Sequence, residues 1–173
     1  MIDTGVLSIS TRAYHGVYED QSGKLICQIV GAQAGFVVAR QDLVPDDYDA
    51  ITACLVRWAD EAQLGLILTT GGTGFSPNDL TPEATRAVIE REAPGLAEAM
   101  RAASLAKTPH AMLSRAVCGI RGHTLIVNLP GSPKAVRENL AVILPVLPHG
   151  VALLREDPDT RHEFGVLCDE DNS

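Results

Sequence analysis

The chain of 173 residues carries a formal net charge of −8, with 46% hydrophobic and 21% charged residues, a mixture that suits one domain with a sizeable core. The negative balance and the lack of a basic patch speak against a nucleic-acid partner. The longest apolar stretch, VILPVLPHGVALL, is broken by Pro145, Pro148, His149 and Gly150 and does not read as a membrane span.

In chain order, Val6 to Ile9 reads as a first buried strand. Ser22 to Gln33 follows as a helix, with Leu25, Ile26, Ile29 and Val30 at helical spacing. Gly35 stops it, and FVVARQDLV is the second strand. Asp46 to Gln63 is the strongest helix, with Ile51, Leu55, Trp58 and Ala62 on one face and Asp46 or Asp47 at its cap. Leu64 to Thr70 is the third strand. Beyond a glycine turn, Thr81 reads as an N-cap and Pro82 as the first residue of another helix. A further helix follows Pro94-Gly95. Arg115 to Ile120 and Thr124 to Leu129 read as two strands joined at Arg121-Gly122-His123, and PGSPKAVRENLAVIL as a last helix.

Strands that alternate with helices and are mostly apolar imply a three-layer α/β/α sandwich with a largely parallel central sheet. One domain is expected over residues 1–156, followed by an acidic tail, 157–173, that is partly disordered. The N-terminus lacks a basic leader. Cys27, Cys54, Cys118 and Cys168 are scattered with no CxxC spacing, as in a cytoplasmic protein with free thiols. The dispersed histidines form no zinc-binding pair.

The segment TTGGTGFSPNDLTPEAT, Thr69 to Thr85, carries the chemistry. Glycines at 71, 72 and 74 permit positive φ and close approach of a ligand, and successive backbone N–H groups in such a turn form an anion-binding concavity. Lacking the lysine of GxxxxGK[ST], it is not a Walker A loop; with Pro77 at the last glycine position of GxGxxG, it is not a dinucleotide fingerprint. On spacing alone, a phosphate cradle and a ligand-free strand-to-helix turn remain equal readings. Asp79 either bonds its own turn or holds a hard cation, and Asp46 either caps a helix or does the same.

This segment, with SxSTR near the start, YEDQSG, Pro45-Asp46, TPHAMLSRAVCGIRG and NLPGSPKAVRENL, resembles the MogA/MoaB/gephyrin G-domain family of molybdenum-cofactor biosynthesis. The resemblance runs from about Val6 to Leu154 and is nearest to its MogA-type adenylyltransferases. It implies a homotrimer and a Mg²⁺-dependent reaction of ATP with molybdopterin, giving adenylylated molybdopterin and pyrophosphate, with a molybdate-insertion protein as a downstream partner. Gly71, Gly72, Thr73 and Gly74 match the nucleotide-phosphate loop. Asp46 and Asp79 match the two acidic catalytic positions and are cast as Mg²⁺ ligands, direct or through water. Ser114, Arg115, Pro130, Gly131, Ser132 and Lys134 match the substrate-lining regions, with Arg115 and Lys134 as cations near phosphate. One departure is Thr11, where many members have aspartate.

Two other readings stay in view. A non-catalytic molybdopterin-binding scaffold would keep the pocket without turnover, and Thr11 is the feature that favours it. A CinA-like nucleotide pyrophosphate hydrolase would carry additional domains.

Overall fold

Side chains along a strand point alternately to the two faces of a sheet, so a strand covered on both faces must be apolar throughout. The central strands here obey that rule. In β1 (Ile2–Ile9) Val6 joins one core cluster while Leu7 and Ile9 join the other. In β3 (Leu66–Thr70) the division is Leu66 and Leu68 against Ile67. In β6 (Thr124–Leu129) it is Leu125, Val127 and Leu129 against Ile126. The structure, a computed structural model, describes residues 1–155; the tail expected at 157–173 and Cys168 lie outside the described residues.

The sheet has six strands in the order β2-β1-β3-β6-β5-β4, where β2 is Phe36–Val44, β4 Arg91–Glu92 and β5 Cys118–Arg121. The first four in that order run parallel, β5 runs antiparallel to β6, and β4 antiparallel to β5. One face is covered by α2 (Gln21–Gly31), α5 (Pro94–Leu105), α6 (Pro133–Ile143) and α7 (Leu147–Leu154), through residues such as Ile26, Met100, Leu140 and Val151. The other is covered by α3 (Tyr48–Val56) and α4 (Thr81–Val88), through Ile51, Leu55, Ala84 and Val88. This is the expected three-layer sandwich. Among the described residues no single helix is long and apolar enough to cross a membrane, and the apolar pair α6 and α7 is bent by 65°.

Several boundaries differ from the sequence reading for definite reasons. The helix expected from Asp46 to Gln63 is α3 followed by a π-helical turn, Arg57–Glu61. Trp58 in that turn is 4% exposed, and a Cβ on Gly5 would lie 2.6 Å from its ring. The indole therefore rests on bare β1 backbone, beside the point where the β1–β2 register slips between Thr4 and Gly5. A strand expected from Arg115 begins only at Cys118, because the side chain of Asn128 replaces the next ladder partner. Its Oδ1 accepts from Val117 N at 3.1 Å, while its Nδ2 donates to Thr69 Oγ1 at 3.0 Å and Thr85 Oγ1 at 2.9 Å. The four-residue helix α1 (Thr11–Tyr14), the 3₁₀ turn Pro109–Leu113, β4 and α7 are further elements that the sequence reading did not separate.

Asn128 is fully buried, so truncating it strands a buried backbone N–H and removes bonds that tie β6 to β3 and α4. Asn128→Ala is expected to lose about 2–4 kcal/mol of stability. Urea unfolding should show a lower midpoint at unchanged slope; a shift under about 0.5 kcal/mol would mean the network is dispensable.

Candidate active site

Ligands of parallel sheets bind beyond the carboxyl ends of the strands, and four strand ends meet here. β1 leads into Ser10 and α1, β2 into Pro45-Asp46, β3 into Gly71-Gly72, and β6 into Pro130-Gly131-Ser132. Ser10 N donates to Val44 O at 3.0 Å and joins the first two ends. Thr70 Oγ1 donates to Pro130 O at 2.7 Å and holds the fourth loop against the third, and Ser22 Oγ, near the start of α2 (Gln21–Gly31), donates to Gly131 O at 2.7 Å and ties that loop to the helix.

Gly71 and Gly72 both have positive φ, 97° and 62°. A Cβ at Gly71 would stand 2.3 Å from Ile9 O, and one at Gly72 2.5 Å from Thr81 Oγ1. Conformation and contact both require glycine at these positions. Gly74 is different: it lacks positive φ, and its constraint is Asp79, whose Oδ2 would lie 3.0 Å from an added Cβ. Thr81 is the first residue of α4 rather than its cap, a position that Leu80 takes. The Thr81 hydroxyl donates instead to Gly71 O at 2.9 Å and its N–H to Gly72 O at 3.1 Å. The expected cap is thus an anchor for the glycine turn.

Asp47 caps α3 by accepting from Ala50 N. That leaves Asp46 for other work, and it pairs reciprocally with Thr11. Asp46 Oδ2 accepts from Thr11 N at 2.7 Å, and Thr11 Oγ1 accepts from Asp46 N at 2.9 Å. Asp79 uses Oδ2 to accept from Ser76 N at 2.8 Å, while its own N–H returns to Ser76 O at 2.9 Å. Its turn role is real, yet it occupies one oxygen. Among the described residues neither Asp46 nor Asp79 has a hydrogen bond on Oδ1.

Both carboxylates line a cleft of about 590 Å³, together with Gly71, Gly72 and Gly131. Glu19 and Asp20 also line it, and among the described residues Arg12 is the one cation that does. Asp20 caps α2 through Gly23 N at 2.8 Å and receives Ser8 Oγ at 2.5 Å. A Cβ on Gly23 would fall 2.2 Å from Asp20 Oδ2, which explains the glycine that ends YEDQSG. A second cavity of about 290 Å³ is lined by Thr73, Gly74, Ser114 and Pro130, with Ser104 and His110 among its other walls. The two cavities share the glycine turn and the Pro130-Gly131 loop as a boundary.

Ser132 and Lys134 are in neither lining. Ser132 is the N-cap of α6, accepting from Ala135 N. Arg115 is engaged within the protein: its N–H donates to Thr73 O at 2.9 Å, Nε to Gly74 O at 2.7 Å and Nη2 to Asp79 O at 2.6 Å, and Nη1 pairs with Glu83. Burial raises the Glu83 carboxyl, but the Arg115 hydrogen bond, a backbone bond and the charges of Arg115 and Arg86 outweigh it, so its pKa falls below the ordinary value. Arg115 thus clamps the loop that carries Asp79. Burial pushes the Cys54 thiol up to about 11 and that of Cys118 to about 12, which argues against thiolate nucleophiles near neutral pH.

Among the described residues no three His, Cys, Asp or Glu side chains are placed to hold a metal by themselves. Mg²⁺ commonly takes one or two carboxylates and completes its shell with water and substrate phosphate, so Asp46 and Asp79, which line one cleft and each keep an oxygen free of hydrogen bonds to the described residues, suit it.

Removal of the clamp gives a direct test of loop order. Arg115→Met is expected to lose about 2 kcal/mol, given the charge-assisted bonds involved. Amide exchange over residues 73–79 should accelerate in that variant while β1 and β6 remain protected.

Residues 5–149 match the family model described as "Probable molybdopterin binding domain". The molybdenum cofactor synthesis protein cinnamon of Drosophila melanogaster is 45% identical over 90% of this chain but only 26% of its own length, so the chain spans about a quarter of that relative. A molybdopterin adenylyltransferase of Helicobacter pylori is 45% identical over 88% of both chains. The crystal structure of the molybdopterin biosynthesis enzyme MoaB from Thermus thermophilus superposes with a TM-score of 0.85 at 51% identity, over 90% of this chain and 98% of that one. With the glycine turn, both cavities and all but the first residues of β1 of the sheet inside the matched span, the chain belongs to the molybdopterin-binding domain family of molybdenum-cofactor biosynthesis.

Proposed function

We propose that the protein is a molybdopterin adenylyltransferase, moving AMP from ATP to the terminal phosphate of molybdopterin with release of pyrophosphate. The observation that carries this reading is the pair of cavities meeting at one glycine turn, one lined by four carboxylates, the other more apolar. The Helicobacter relative, matched over 88% of its length, bears that name and supports it. The nucleotide belongs in the cleft of Asp46 and Asp79, its phosphates against the Gly71 to Gly74 backbone. Molybdopterin belongs in the cavity of Ser114 and Pro130.

The nucleophile needs no base. A phosphate monoester has a second pKa of about 6 and is already anionic near neutrality. The obstacle is repulsion between two anions in a cleft that four carboxylates also line. Mg²⁺, when bound, would supply neutralising charge and draw the phosphate oxygens together. Asp46, oriented by Thr11, and Asp79, oriented by the Ser76 turn and Arg115, would hold it. The Thr11 pairing keeps Asp46 in place without an aspartate at that position, which favours the enzyme over a non-catalytic scaffold. Arg115 is assigned as a loop clamp, and Ser132 as a cap whose neighbourhood faces substrate. Lys134, one residue into α6, would require movement to meet phosphate. A homotrimer, transfer to a molybdate-insertion protein and a cytoplasmic location complete the reading; three free thiols among the described residues suit the last.

Asp79→Asn keeps the Ser76 turn, since an amide oxygen accepts the same bond, and removes the charge. Single-turnover formation of adenylylated molybdopterin is expected to fall by about a hundredfold or more, with part of the rate regained at high Mg²⁺. Near-normal turnover at low Mg²⁺ would return Asp79 to a turn role. Light scattering should give about three times the chain mass, a closed homo-oligomer; a monomer at micromolar concentration would refute the assembly.

A further inference from the structure

Neither of the two basic residues expected beside phosphate reaches the acidic cleft as a free cation. Arg115 is bound to three loop carbonyls and Glu83, and Lys134 lies outside both linings. The cleft nonetheless contains a cation. Arg12, second residue of α1, lines it, with its guanidinium carbon 5.2 Å from the centre of the Tyr18 ring. Tyr18 is itself held by a 2.7 Å hydrogen bond between its hydroxyl and Ser10 Oγ, and Ser10 Oγ caps α1 by accepting from Ala13 N.

The partners of Arg12 are the telling point. Four carboxylates line the same cleft, and each has another partner: Glu19 with Lys24, Asp20 with Ser8 and Gly23, Asp46 with Thr11, Asp79 with Ser76. The Arg12 carbonyl accepts from Val17 N at 2.9 Å, but its guanidinium makes no ion pair or hydrogen bond with the described residues and meets only the Tyr18 ring. Contact with an aromatic ring orients a guanidinium without using its N–H donors. Five donors in a planar fork are thereby presented to a cleft whose proposed occupant is an anion, and that fork fits phosphate oxygens bidentately. We propose that Arg12, oriented by Tyr18, is the side-chain cation that binds the phosphate chain of the nucleotide beside the glycine turn. Lysine at position 12 could supply charge but neither the fork nor the same stacking.

This assignment rests on the adenylyl-transfer reading, and calorimetry can separate the two. The titrants are Mg-ATP and adenosine, and the proteins are the wild type, Arg12→Ala, Arg12→Lys, Tyr18→Phe and Tyr18→Leu, each checked by thermal melt. Arg12→Ala should weaken Mg-ATP by about tenfold or more and leave adenosine affinity unchanged. Arg12→Lys should recover part of the loss. Tyr18→Phe, which keeps the ring, should lie near wild type, and Tyr18→Leu between it and Arg12→Ala. Equal Mg-ATP affinity in wild type and Arg12→Ala overturns the Arg12 assignment alone, as does an equal loss of adenosine. A wild type that binds no Mg-ATP overturns the adenylyl-transfer reading and this assignment with it.

Discussion

Two consecutive left-handed residues, Gly71 and Gly72, are the constraint on which the site depends. They let the chain leave β3 and reverse within van der Waals reach of the Ile9 carbonyl. Any side chain there would meet backbone oxygen at one position and the Thr81 hydroxyl at the next. Because the reversal is tight, the start of α4 returns beneath the turn, and Thr81 bonds both glycine carbonyls. Asp79 is then carried to the same cleft as Asp46, which arrives from the far side on the end of β2. A looser turn would leave the two carboxylates on unrelated loops.

Around that turn the polar groups are arranged by one another before any ligand enters. Thr11 fixes Asp46, the Ser76 turn and Arg115 fix Asp79, and Ser22 with Thr70 fix Pro130-Gly131. No buried side-chain nitrogen or oxygen among the described residues lacks a hydrogen-bond partner. Preorganised groups need little rearrangement as charge shifts during reaction, which is the source of electrostatic catalysis. A cleft this acidic, in a chain of net charge −8, suits anions only when cations accompany them.

The order of elements was legible in the sequence because each apolar run has one dominant period. Phe36 to Val44 was read to its ends, and Ser132-Pro133 marked the start of α6 through ordinary capping chemistry. Features set by tertiary contact were not legible. The π-helical turn exists because Trp58 lies on Gly5, residues more than fifty positions apart. Asn128 looked like one more strand residue, yet its amide completes the ladder for Val117. The carboxylates and the glycine turn were named from the motif, but the partners of Arg115 depend on a fold that brings residue 115 against residues 73–83. Arg12 went unassigned although SxSTR was noted, since only the structure shows which cations the protein has already engaged.

The boundary between the two cavities has a further consequence. A Cβ on Gly131 would lie 3.4 Å from Gly71 Cα, so the two main chains are separated by the space of one methyl group and no side chain stands between them. A partition made of main chain has no rotamers to swing aside. Whatever occupies the two sides is held apart by covalent geometry, which thermal motion of side chains cannot widen. A methyl group on Gly131 would just fill that gap, whereas one on Gly71 would strike the Ile9 carbonyl on its other side. The spacing of the two cavities is thus set by main chain that cannot turn aside.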